Sequence, residues 1–152
     1  MSDNRRARRI RHRLMLAAAV GLGVVATQAQ SDERFRGRLS VLPVDFATAS
    51  TMSGSGEAHA TLTGDTLVVT GTFEGLSSPA TAAHIHRAPP ARRGPVAFAL
   101  DVTSAVSGTL AGTIELTASE TAVLREHGYY VQIHTERNRD GELRGWLMAP
   151  RP

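Results

Sequence analysis

Two stretches decide how this chain folds: Thr81-Ala82-Ala83-His84-Ile85-His86-Arg87, and Tyr129-Tyr130-Val131-Gln132-Ile133-His134-Thr135. Each reads as a β-strand, in which residues two apart share a face. His84 and His86 therefore point one way, with Ala83 and Ile85 opposite. Gln132 and His134 likewise stand opposite Val131 and Ile133. Burying Ile85 and Ile133 in one core turns all three imidazoles outward together. A one-residue slip in either strand would bury histidine and expose isoleucine. The expectation is that these two strands lie close, with His84, His86 and His134 meeting outside the core.

Short strands separated by turns continue in both directions. Arg38 to Asp45 reads as a first strand after a polar lead-in over 30–37. Glu57 to Thr63 and Thr66 to Phe73 flank Gly64-Asp65, the sign of a hairpin. Arg87 to Gly94 is a Pro/Arg loop. Pro95 to Asp101 follows as a strand with Val96, Phe98 and Leu100 on one face, and Thr109 to Leu116 as another. Thr117 to His127 is the one convincing helix: Thr117 with Glu120 has the spacing of a capping box, and Gly128 is placed to end it. After Tyr129 to Thr135, residues Asn138 to Gly141 turn the chain into a last strand, Glu142 to Met148. About eight short strands and one short helix predict an all-β, antiparallel sandwich or barrel.

The charge of the chain is unevenly distributed. The whole sequence carries +3 with a pI near 10.5. Residues 1–29 hold Arg5, Arg6, Arg8, Arg9, Arg11 and Arg13 against Asp3, a surplus of +5, so residues 30–152 carry −2. A slightly acidic domain lacks the basic surface that nucleic-acid binding needs. The basic stretch is followed by an apolar run from Leu14 to Ala26 and by Thr27-Gln28-Ala29, the pattern of a cleaved export signal. That run is shorter than the ~20 residues of a membrane span. The reading is a signal peptide over 1–29 and a single β domain over 30–152, exported to the periplasm, the medium or the cell surface. Membrane contact would come only through an uncleaved signal. Cysteine is absent, so no disulfide supports the domain.

The pattern Ala82-Ala83-His84-Ile85-His86, then Gly94-Pro95-Val96, then Tyr130-Val131-Gln132-Ile133-His134-Thr135 and Asp140-Gly141-Glu142-Leu143-Arg144-Gly145 resembles the CHRD domain, the module first described in chordin. The resemblance covers roughly Phe35 to Met148. Two departures affect loops: Arg87-Ala88-Pro89-Pro90 stands where the family usually has a Gly-rich segment, and Asp140 where it often has proline. The resemblance implies an immunoglobulin-like, Greek-key β-barrel or sandwich of the extracellular space or periplasm, often without assigned activity. Some family members sit in regulators of secreted growth factors; a single copy behind a signal implies no such partner here, and the extracytoplasmic partner is unknown.

Two functions follow for the histidines. In the first, the protein is a non-enzymatic binding or scaffolding module, and the imidazoles hydrogen-bond to backbone or to a carboxylate such as Glu136 or Glu142. In the second, they hold copper or zinc, for which three imidazoles on adjoining strands are a suitable donor set. His84-Ile85-His86 has a faint similarity to the copper strand of copper/zinc superoxide dismutase, but the loop 87–94 offers no further histidine or acid. The ligand face would lie outside the core, so a loop must cover it, and 87–94 is the candidate. His59 is a fourth ligand that nothing in the sequence places. His127 is read as a helix C-terminal residue favoured by the dipole. Glu142 and Arg144 share a face of the last strand, either as an acid and an anion-binding arginine beside the histidines or as a partly buried ion pair. No cysteine and no serine in a strained Gly-flanked turn offers a nucleophile. An enzyme is therefore the less favoured reading, with copper or zinc as the only cofactors in view.

Overall fold

Eight strands close into one antiparallel barrel in the computed structural model, which describes residues 31–41, 46 and 48–150. The signal read over 1–29, and Pro43, Val44 and Asp45, lie outside the described residues. The strands are β1 (Glu33–Val41), β2 (Ser55–Thr63), β3 (Thr66–Glu74), β4 (Ala80–Arg87), β5 (Val96–Val102), β6 (Gly108–Glu115), β7 (Tyr129–Thr135) and β8 (Leu143–Trp146). The helix α1 spans Ala118–Arg125. Around the wall the order is β1-β2-β3-β6-β5-β4-β7-β8, and β8 returns to β1 through Ser40↔Arg144 and Val41↔Leu143. A separate bridge joins Arg36 and Met148. The all-β antiparallel fold with one short helix is as expected, and of the two expected forms it is the barrel.

Alternation drives the closure. Ala58, Ala60 and Leu62 of β2, Leu67, Val69 and Phe73 of β3, and Ala83 and Ile85 of β4 point inward, joined by Val131 and Ile133 of β7 and Leu143 of β8. Ile85, Val131 and Ile133 are all fully buried. Polar residues at the alternate positions face out, so the period-two pattern and the barrel wall agree.

β1 and β5 differ from the sequence reading. β1 begins at Glu33, inside the stretch read as a lead-in. Its Phe35, Gly37 and Leu39 face inward while Arg34, Arg36 and Arg38 face solvent. The three arginines make the segment look hydrophilic although its alternation is regular. In β5, Val96 is 54% exposed, not inward with Phe98 and Leu100. A register shift between Ile85 and His86 sets Ile85 opposite Phe98 but His86 opposite Val96, which inserts Ala97 and reverses the phase.

The helix start matches: the Thr117 side chain accepts from the Glu120 backbone and Glu120 reaches back to Thr117. The helix end does not match. Gly128 N–H donates to Val123 O and His127 N–H to Leu124 O, a Schellman pattern in which His127, with φ 58°, holds the left-handed position expected of Gly128. An L-residue is strained there, and the Nδ1 of His127 is buried without a hydrogen-bond partner. His127→Gly is expected to raise stability by about 0.5–1 kcal/mol, measured as an upward shift of the urea midpoint. An unchanged or lower midpoint would contradict this account of the helix end.

Candidate functional site

The antiparallel pairing of β4 with β7 brings the histidines together. Ile85 pairs with Val131 and Ala83 with Ile133, which sets His84 opposite Gln132, His86 opposite Tyr130 and Ala82 opposite His134. With the apolar partners inside, His84, His86 and His134 share the outer face. Their ring centroids lie 5.9 Å (His84–His86), 5.0 Å (His84–His134) and 5.7 Å (His86–His134) apart. One ring nitrogen from each lies within 4.8 Å of the other two. A central point is then at most about 2.8 Å (4.8/√3) from each nitrogen, against the 2.0–2.1 Å of a Zn–N bond, so side-chain shifts of under about 1 Å would bring the three nitrogens to bonding distance of one point. His59 is not part of the group. It stands exposed on β2 beside Glu57, its Nε2 3.3 Å from the carboxylate.

Two loops orient the rings. The Nδ1 of His86 lies 3.0 Å from the carbonyl oxygen of Gly94, and the Nδ1 of His134 lies 2.7 Å from that of Arg139. A carbonyl only accepts, so each Nδ1 carries the hydrogen and donates it. In the neutral ring the lone pair is then on Nε2. Those two Nε2 atoms, together with Nδ1 of His84, are buried and have no hydrogen-bond partner. Burial, reinforced by His134 and His86, lowers the pKa of His84. For His86, burial together with His134 and Arg144 outweighs the upward pull of Gly94. Both shifts favour the neutral imidazole, the form that ligates a metal. The backbone-bonded reading of the histidines is thus correct for one nitrogen of His86 and one of His134; Glu142 bonds elsewhere.

The 87–94 loop packs against the His86 side of the cluster. Gly94 N–H donates to the Tyr130 hydroxyl, and the Trp146 indole N–H donates to Ala88 O, 3.1 Å in each case. Tyr130 stacks on His86 with centroids 4.9 Å apart and planes 8° apart. Gly94 has to be glycine, because a Cβ there would sit 1.9 Å from Arg87 O. The 136–141 turn forms the other wall, and an open depression lined by Thr81, Val96, His84, His134, Glu136 and Arg139 leads to the histidines.

Glu142 and Arg144 do not form the expected ion pair. Glu142 is 1% exposed. It accepts from the backbone N–H groups of Ser53 and Ser77, at 2.9 and 2.8 Å, and from Ser77 Oγ, Thr135 Oγ1 and Asn138 Nδ2. Burial pushes its pKa up, but the donors from Ser53, Thr135, Ser77 and Asn138 outweigh this and hold it below the ordinary carboxylate value. Asn138, also buried, donates to Thr51 O. The carboxylate therefore joins three loops, one of which is the turn that aims the Arg139 carbonyl at His134. Arg144, 5% exposed, donates from Nε to Gln132 Oε1 at 2.8 Å. Gln132 in turn donates to Asp140 O at 2.7 Å and occupies the space that a Cβ on Gly141 would need. Sequence reasoning did not find Gln132, Tyr130 and the two carbonyls; the outward phase of Tyr130 and Gln132 beside His134 was the available signal.

Fold and site together define a class: an eight-stranded closed antiparallel barrel with a triad of histidines on its outer wall, flanked by two loops. The sequence matches the CHRD domain family over residues 40–147, and the chain belongs to that family. No curated protein and no solved structure matches it.

Proposed function

We propose that this CHRD-domain chain is an exported binding module that holds one copper or zinc ion through Nδ1 of His84, Nε2 of His86 and Nε2 of His134. The observation that carries the reading is the set of three buried ring nitrogens without partners on converging side chains. An unmet buried polar atom costs about 1–3 kcal/mol, and three together at one spot are a cost that a bound ion removes. Two Nδ1–H groups donating to backbone carbonyls are the outer contacts that fix imidazole ligands on metals. Three nitrogen donors without thiolate suit copper or zinc. The strand order, with β4, β5 and β6 in succession and β3 set beside β6, supports the Greek-key description of the barrel.

The test is metal content. Protein purified without a polyhistidine tag, stripped and reconstituted, should carry one equivalent of copper or zinc. His86→Gln should weaken binding by more than the ~10–100-fold that outer contacts are worth. Neither metal at stoichiometric level would leave the scaffolding role. The export half is checked by mass: the mature protein should begin near Gln30, and an intact Met1 on cytoplasmic protein would refute it.

A further inference from the structure

Arg144 is the second feature of this outer wall that its neighbours leave incomplete. It is a cation only 5% exposed. Its contacts are neutral: Gln132 Oε1, and the Tyr130 ring, whose centroid lies 4.8 Å from the guanidinium carbon. Buried charge is costly unless it is paired. The carboxylate expected to pair with it, Glu142, is fully engaged by Ser53, Ser77, Thr135 and Asn138. No carboxylate forms an ion pair with Arg144 among the described residues.

The surroundings add positive charge. Arg144 lines a depression of about 670 Å³ along the seam of β1 and β8, with Arg36, Arg38, Trp146, Met148 and Pro150. Arg36 is engaged by Glu57. Arg38 has no ion-pair partner among the described residues. Burial, and Arg93 of the 87–94 loop, lower the pKa of Arg144, which Tyr130 partly offsets. The fold thus sets Arg144, Arg38 and Arg36 around one depression, beside an apolar wall. We infer that this depression binds a small organic anion, its oxyanion head on Arg144 and Arg38 and its apolar body against Trp146, Met148 and Pro150. The volume falls in the range of small-ligand pockets, about 300–1,000 Å³. A planar guanidinium fork suits carboxylate, sulfate or phosphate heads alike.

Trp146 is the only tryptophan in the chain, so its fluorescence reports on the site. The full chain is stripped with EDTA, which removes any contribution from a metal on the histidines, dialysed free of the chelator, and titrated at constant ionic strength set with chloride. Acetate, sulfate and inorganic phosphate test the head group, and octanoate tests the apolar body. The expected result is a saturable change, with octanoate at least tenfold tighter than acetate if the head is carboxylate. Saturation by sulfate or phosphate alone identifies those heads instead. Arg144→Gln should weaken binding at least tenfold. If that variant fails to fold, Arg38→Gln, at an exposed position, should weaken it several-fold. No saturable change with any of the four anions, equal binding by Arg144→Gln, or equal binding by Arg38→Gln would overturn the assignment.

Discussion

Glu142→Ala is expected to lose about 3–5 kcal/mol, enough to leave a marginal domain substantially unfolded. The substitution removes the acceptor for two backbone amides, Ser53 and Ser77, and for Ser77 Oγ, Thr135 Oγ1 and Asn138 Nδ2. The amides cannot turn elsewhere, since they are fixed by the chain; the hydroxyls can. Glu142→Gln keeps one acceptor oxygen and should lose less. Urea unfolding of the three proteins measures the order, and a loss under about 1 kcal/mol for alanine would refute the account. The same group predicts a pH dependence. Its folded pKa is depressed below the ordinary 4.5, so the unfolded state binds the proton first as pH falls. The stability it contributes is present above the unfolded value and is lost as pH falls towards the folded one. Glu142→Gln should flatten that part of the profile.

Ile133→Ala should cost about 2–5 kcal/mol. Ile133 is fully buried, opposite Ala83 on one side and Leu143 on the other. Alanine at Ala83 cannot fill the space, and the cross-strand pairs of a closed wall restrict collapse. A loss below about 1 kcal/mol in urea unfolding would mean that β7 presents the opposite face to the core. The imidazole of His134 would then be turned inward, so this measurement also tests the placement of the candidate site.

The parts of the fold legible in sequence were those where one face is apolar throughout. In β4 and β7, Ile85, Val131 and Ile133 fix the phase, and the three outward histidines follow by geometry. The capping box at Thr117 and Glu120 is a local signal and was read correctly. Other features escaped because the physics is not local. The start of β1 is hidden by Arg34 and Arg36, whose outward position matters only once β2 lies alongside. Val96 faces out because of a bulge against β4, which neither strand announces alone. Glu142 and Arg144 looked like a pair because they are two residues apart on one strand. Glu142 instead found donors 89 and 65 residues away, at Ser53 and Ser77. The carbonyls of Gly94 and Arg139 that orient His86 and His134 belong to every residue type and leave no mark in a sequence.

The barrel is closed by its outermost strands: β1 meets β8 at Ser40↔Arg144 and Val41↔Leu143. A chain synthesised from its N-terminus delivers β1 first and β8 last. Until Leu143 to Trp146 emerge, β1 has a bare side towards β8 and β7 has no outer neighbour, two ribbons of open amides and carbonyls ready to zip onto any passing chain. With no cysteine to staple a partial product, nothing covalent protects that interval. A nascent form cut short before Leu143 would therefore be sticky rather than merely loose, and the four residues of β8 act as the clasp that makes every other strand safe in company.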